Sequence, residues 1–257
     1  MNIKPRTLER WAPFVLLLVV VALWQLVCSV FSIPEFIFPA PNAIAQAMAE
    51  FAGPIAEAAW KTFWVTMVGF GISIVVGVLL GFIVGSSRLA YAAMYPLLVA
   101  FNAVPKAAIV PILIVWFGIG IGPGILTAFL ISFFPITVNM ATGLATLEPE
   151  LEDVLRVLGA KRRDVLLKVG LPRSLPYFFA SLKVAITLAF VGTVLAEMTA
   201  GDSGIGYLMQ SAGSQQRMAL AFAGLVVIGA MAMAMYELFS YIEKHMTGWA
   251  HRGTQGG

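Results

Sequence analysis

Cysteine, histidine and charge are scarce in this sequence, and each scarcity closes off a class of function. The single cysteine, Cys28, lies inside an apolar run, so no disulfide can close within the chain and no cysteine-rich zinc site can form. His245 and His251 both fall in the polar tail, at a spacing that does not bring them to one helical face, so no metal site is expected. There is no GxxxxGKS/T phosphate loop, no HExxH, and no dinucleotide fingerprint after a strand, which leaves the chain with no visible means of hydrolysing a nucleotide. No cluster of acids or nucleophile with its base marks an enzyme. Charged residues make up 11% of the chain, against about 25% in soluble domains. The few basic residues sit at segment ends, where they describe membrane orientation rather than nucleic-acid binding.

What the chain has instead is apolar length. Of its 257 residues 60% are apolar, and the mean hydropathy is +0.91. At roughly 20 residues per membrane helix plus connections, this leaves room for about six spans and little else. The expected class is an all-α polytopic membrane protein, with residues 1–257 forming one transmembrane domain. The predicted spans are 13–32, 59–86, 91–117, 121–145, 175–199 and 219–243. The first exceeds the roughly 7–15 apolar residues of a signal peptide and is read as retained. Arg88, the run Arg156, Lys161, Arg162, Arg163, Lys168 and Arg173, and the two terminal segments all fall on one side, which the positive-inside rule makes cytoplasmic. Both termini are therefore expected in the cytoplasm. The outer side carries Glu35, Glu50, Glu57 and Asp202, with Lys61 and Arg217 at outer span ends. Residues 38–51, with Pro39 and Pro41, predict a short helix along the outer surface.

Three sets of residues stand out. Gly69, Ser73, Gly77, Gly81 and Gly85 recur every four residues in the second span, which stacks them into a flat ridge where another backbone can approach. The spacing does not say whether the partner is another span or a second subunit. Polar side chains inside spans form the second set. Lys106, between Pro105 and Pro111 in a span those prolines should kink, either faces a water-filled path and attracts a polar or anionic solute, or snorkels or pairs structurally, with Glu197 as one candidate partner. Glu197 stands near the outer end of the fifth span. Asn102 and Asn139 are expected to hydrogen-bond between helices, with the path as the alternative.

The third set lies at 146–172. Glu148, Pro149 and Glu150 suit a helix start, and Leu151, Val154, Leu155 and Leu158 form one apolar stripe that Gly159 ends. A second short helix is predicted from Lys161 to Val169, with Val165, Leu166 and Val169 inward and Leu171-Pro172 terminating it. Such a pair either fits into a partner or rests on anionic lipid.

The run Asp153-Val154-Leu155-x3-Gly159-x9-Val169-x-Leu171-Pro172 resembles the EAA-x3-G-x9-I-x-LP signature of permease subunits in binding-protein-dependent ABC importers. Asp153 stands for the Glu, Val154 and Leu155 for the two Ala, and Val169 for the Ile. Phe38-Pro39-x-Pro41, Trp116-Phe117-Gly118-Ile119-Gly120, Phe133-Phe134-Pro135, Ala196-Glu197-Met198 and Gly204-Ile205-Gly206-Tyr207-Leu208 look like the nitrate, sulfonate and taurine branch. That branch has similar members that carry thiamine precursors, riboflavin or pyrimidine-like compounds. The resemblance implies a type I ABC importer permease-like fold in a bacterial inner membrane, with residues 146–172 as the coupling loop. Within it Asp153, Val154, Leu155, Gly159, Ala160, Val169, Leu171 and Pro172 would dock on a cytoplasmic ATPase. It further implies a second permease, since without an internal repeat one chain supplies only half a path, with a homodimer as the expected form, and an external or lipid-anchored solute-binding protein. ATP and Mg would belong to the ATPase, and the chain itself would hold no cofactor. The rival, a secondary transporter or channel acting alone, would need intramembrane acids or a selectivity ring, and the spans offer little beyond Lys106 and Glu197.

Overall fold

The structure is a computed structural model, and it describes residues 5–145, 154–155 and 157–247. Every described element is helical. In chain order they are α1 (Pro5–Val30), α2 (Pro41–Glu50), α3 (Ala52–Gly85), α4 (Arg88–Ala103), α5 (Lys106–Phe117), α6 (Ile121–Ala145), a short α7 (Arg162–Val165), a π-helical turn (Leu166–Gly170), α8 (Leu171–Ala200), α9 (Gly204–Ser214) and α10 (Met218–Met246).

Five helices are long and apolar enough to cross a membrane: α1, α3, α6, α8 and α10. The expected third span is different. It is two helices, α4 and α5, bent by 81° at Val104 and Pro105, so Lys106 opens a helix instead of standing inside one. The cause is local: Pro105 has no N–H and pushes Val104 into extended backbone at φ −66° and ψ 127°. Pro111, by contrast, sits inside α5 without breaking it.

Helix α6 is the centre, packed by α3 on one side and α8 on the other, with α10 against α8. Phe70, Ala128, Ile136, Leu182, Ile186 and Phe190 belong to the core where these helices meet. The hydroxyls buried there, including Thr66, Thr127, Ser132 and Thr137, bond back to the carbonyl four residues earlier, which satisfies them without water. The outer faces are apolar: Leu16 and Leu18 on α1 and Val115 and Trp116 on α5 are mostly exposed, as lipid contact requires.

At the end carrying Phe51, Lys61, Asp202 and Arg217, called the outer end below, α2 lies on α10 through Ile44, Ala47, Ala219 and Ala223. Pro41 starts α2 at its first position, where a missing N–H costs nothing. Helix α9 packs in the same cluster through Ile205, and the sequence reading did not anticipate it.

Candidate functional site: coupling segment, helix break and outer junction

The segment expected to couple is described from Val154 onward, except Arg156. Asp153 and Leu151 lie outside the described residues, as do Glu148, Pro149 and Glu150. Val154 and Leu155 are helical, and the helix closes at Gly159, whose φ of +88° is the left-handed conformation that a side chain disfavours. The Ala160 N–H then reaches back to the Leu155 carbonyl at 3.0 Å, the bond that closes a glycine-terminated helix. Two residues on, the Lys161 carbonyl accepts from the N–H groups of Asp164 and Val165 and starts α7.

The expected stop at Leu171-Pro172 is corrected by the structure. The chain passes from α7 through the π turn into α8 without leaving helical backbone, and the Leu171 N–H bonds to the Leu166 carbonyl five residues back. That wider register absorbs Pro172, which sits in the first turn of α8, where its missing N–H leaves no broken ladder. Val165 is buried, Leu166 and Val169 are half-buried, and Leu171 is half-buried at the head of α8. On the other side of the bend Val154, Val157 and Leu158 stand 56%, 89% and 77% exposed. Val157 was not on the stripe expected from the sequence.

The ridge on α3 faces α6. A Cβ added at Gly77, Gly81 or Gly85 would meet the side chain of Ile136, Met140 or Leu144 at 2.8, 2.6 and 2.8 Å, and one at Gly69 would meet Ala128 at 2.7 Å. Ser73 fills the remaining step with a hydroxyl 2.6 Å from that of Ser132. The two helices thus mesh at four-residue intervals on both sides, within one chain.

At the break, Lys106 and Asn102 come together. The Lys106 ammonium donates to the carbonyls of Phe101 and Asn102 and, at 3.0 Å, to Asn102 Oδ1. The first carbonyl would have faced the N–H that Pro105 lacks, so the lysine caps a helix end that the proline opened. Lys106 therefore does not pair with Glu197. Nor do the asparagines join separate spans: Asn139 Nδ2 donates to the Pro135 carbonyl in its own helix at 2.8 Å. Both acceptors lie within a turn of the donor, where a short side chain finds them first.

Glu197 is buried at the junction of α3, α8 and α9. The Thr62 hydroxyl lies 2.9 Å from each of its carboxylate oxygens and the Gly206 N–H donates to Oε2 at 2.9 Å. Thr62 Oγ1 in turn accepts from the Ile205 N–H at 2.8 Å. These are the opening amides of α9, whose own N-cap residue, Ser203, supplies no side-chain bond. Gly204 at φ +94° carries the chain tightly past the carboxylate, where a Cβ would overlap it.

Comparison with known proteins now decides the class. Residues 73–248 match the family described as the inner membrane component of binding-protein-dependent transport systems. The chain belongs to that family. It is a membrane-spanning permease subunit of an ATP-driven importer, not a transporter of the stand-alone type. A probable ABC transporter permease of Haemophilus influenzae is 33% identical over 232 residues, covering 87% of this chain and 91% of that protein. The formylaminopyrimidine transport permease ThiX of Halalkalibacterium halodurans is 26% identical over 245 residues, 95% of this chain and 98% of its own. Among solved structures, a chain of the inward-facing MetNI methionine ABC transporter shares the fold with a TM-score of 0.65 at 18% identity, covering 77% of this permease and 98% of that chain.

Two polar features of the permease escaped the sequence reading. Lys183 and Glu243 pair at 2.5 Å across α8 and α10, with side chains 19% and 14% exposed. Each was visible as a charge within or at the end of an apolar span, and only their mutual depth was hidden. Thr62 gave no signal, because a threonine in a membrane helix usually bonds to its own backbone. Among the described residues no group of three or more His, Cys, Asp or Glu could hold a metal ion.

Proposed function

We propose that residues 146–172 are the grip by which a cytoplasmic ATPase moves this permease, and that Val154, Leu155, Gly159, Ala160, Val169, Leu171 and Pro172, with Asp153 preceding them, form its contact and its frame. The carrying observation is the contrast within this short stretch. Val154, Val157 and Leu158 expose apolar surface at the basic end of the bundle, while three residues further on the chain is locked into continuous helix leading into α8. Exposed apolar residues on a segment too short to span mark a contact surface, for a protein partner or for lipid, and the family's ATP-driven partner favours the first. A rigid path from that partner to a span is what transmission needs, since a two-state equilibrium shifts only through contacts that differ between its states. Hydrolysis of ATP, with its Mg, belongs to that partner.

The family and the lack of an internal repeat support an assembly of two permeases, taken here as two copies of this chain, with two ATPase subunits docked on their grips and an external solute-binding protein delivering cargo. The bacterial inner membrane, with both termini cytoplasmic, satisfies the Lys and Arg distribution. The cargo is a small polar or anionic solute of the sulfonate, nitrate or taurine type, or a pyrimidine-like, thiamine-precursor or riboflavin compound. The relative that transports formylaminopyrimidine supports the second group. Lys106, Asn102 and Asn139 remain the polar groups offered to the path. Glu197 does not, because its carboxylate is turned into the helix junction.

The test is Gly159→Pro in the permease co-expressed with its ATPase. Nothing lies within 4 Å of a Cβ at Gly159, so the change meets no packed neighbour. The variant should reach the membrane and co-purify weakly or not at all, with stimulated ATP hydrolysis lost. Normal stimulation would refute the grip.

A further inference from the structure

Helix α8 has a second end. Its thirty residues span about 45 Å at 1.5 Å per residue, enough to cross the bilayer with the coupling segment at one end and Glu197 at the other. At the outer end a cleft of about 360 Å³ opens between the start of α3, helix α9 and the start of α10, lined among others by Phe51, Lys61, Tyr207, Ser211 and Arg217. One wall of that cleft is α9, and α9 is tied to the spans at its first turn by the two amides that Glu197 and Thr62 receive. Among the described residues the buried carboxylate has no cationic partner: Lys61 is paired with Glu57 at 2.9 Å and Lys106 is engaged at the break. Its oxygens lie at the N-terminal, positive end of the α9 dipole, a placement that adds to the hydrogen bonds in holding the two together. Gly206 seals the contact from the other side, with a Cβ there meeting the Val194 carbonyl at 2.5 Å and Glu197 Cβ at 2.7 Å. Helix α9 therefore has no freedom to slide on α8 while the carboxylate is in place.

We propose that Glu197 is the positioning residue through which α8 carries α9, so that movement delivered at the coupling segment reaches the outer cleft. This rests on the coupling reading above. Thr62 is the second fastening, bridging the Ile205 amide to the same carboxylate from α3. The outer cleft then changes shape with the motor and not independently of it.

The experiment uses the complete permease–ATPase complex in lipid nanodiscs, which leave both faces accessible. Ser211→Cys is placed in the cleft in a Cys28→Ser background, and its reaction with a polar maleimide is followed by the mass of the permease chain, with and without a non-hydrolysable ATP analogue. With Glu197 intact, nucleotide should change the labelling rate severalfold. In Glu197→Leu that change should vanish while ATP is still hydrolysed, and Glu197→Gln, which keeps an acceptor for the Gly206 amide, should restore most of it. Thr62→Val decides the matter if Glu197→Leu does not assemble, because it leaves the carboxylate and removes only the bridge. A nucleotide-dependent change that survives Glu197→Leu, or that is undiminished in Thr62→Val, overturns the inference and leaves the coupling reading standing, and the absence of any change in the parent complex overturns it as well. If no ATPase co-purifies at all, the coupling reading fails first and takes this inference with it.

Discussion

The two ends of α8 are built on opposite principles. At the outer end Thr62, Glu197, Ile205 and Gly206 form a closed set of bonds among α3, α8 and α9. At the inner end the bends are made by the backbone, a left-handed glycine and a π turn, while Val154, Val157 and Leu158 lie open. Buried hydrogen bonds in a low-dielectric interior fix geometry whatever the surroundings. Exposed apolar side chains on a bent helix fix nothing until something covers them. The outer junction is closed within one chain, and on the proposed coupling role the inner segment is half of an interface.

The sharpest way to break that comparison is at the inner bend. Gly159→Pro replaces a residue at φ +88° by one locked near −65°, which the left-handed bend cannot accept. Complete loss of partner-stimulated ATP hydrolysis is expected, with insertion into the membrane unchanged on a blot of the membrane fraction. Gly159→Ala, strained by only about 1–2 kcal/mol, should lose part of the stimulation.

The next largest effect separates the rod from its ends. Lys183→Met leaves Glu243 without its partner between α8 and α10 and should lower stability by about 3 kcal/mol, read as earlier aggregation on heating in detergent. Lys183→Met with Glu243→Leu should recover most of that loss, because two apolar groups at this half-buried place carry no charge to desolvate. If the double variant is no better than the single one, the pair does more than hold the helices together.

How far this division could be read from sequence depended on whether the deciding physics was local. The α3 ridge was legible because a four-residue recurrence of small side chains is a statement about one helix face, although its partner, α6, was not. The bend at Gly159 was legible for the same reason. Pro172 misled: a proline after a short helix normally stops it, and only the π register, which has no composition of its own, lets the chain continue. The break at Pro105 was expected as a kink and proved to be a full 81° turn, since Lys106 is there to cap the carbonyls that the turn exposes. Glu197 was singled out as a charge at membrane depth, but its partners lie on α3 and across the turn into α9, contacts that no spacing within a helix encodes.

A smaller effect tests whether the inner surface is the incomplete half. Val157 is 89% exposed, so Val157→Ser should leave thermal stability within about 0.5 kcal/mol. Affinity for the ATPase, measured by titration of the purified subunit onto the permease in nanodiscs, should fall by about 1–2 kcal/mol if the side chain is an interface anchor. Equal affinity for the parent and the serine variant would move the contact elsewhere on the segment.

The smallest expected change lies midway between the ends, at Lys106. Its three donors are occupied by two carbonyls and Asn102 Oδ1, so a solute anion reaching it competes with bonds already made. Lys106→Met should therefore loosen the break before it alters uptake, and the two are separable in one experiment. Uptake that falls with a raised solute KM and unchanged ATP hydrolysis places the ammonium on the path, where its charge meets the cargo. Uptake and hydrolysis falling together, with a lower melting temperature, makes it a cap for α4 alone. Unchanged uptake removes it from the path, and Asn102, whose amide would then be freed from the lysine, becomes the residue to vary next.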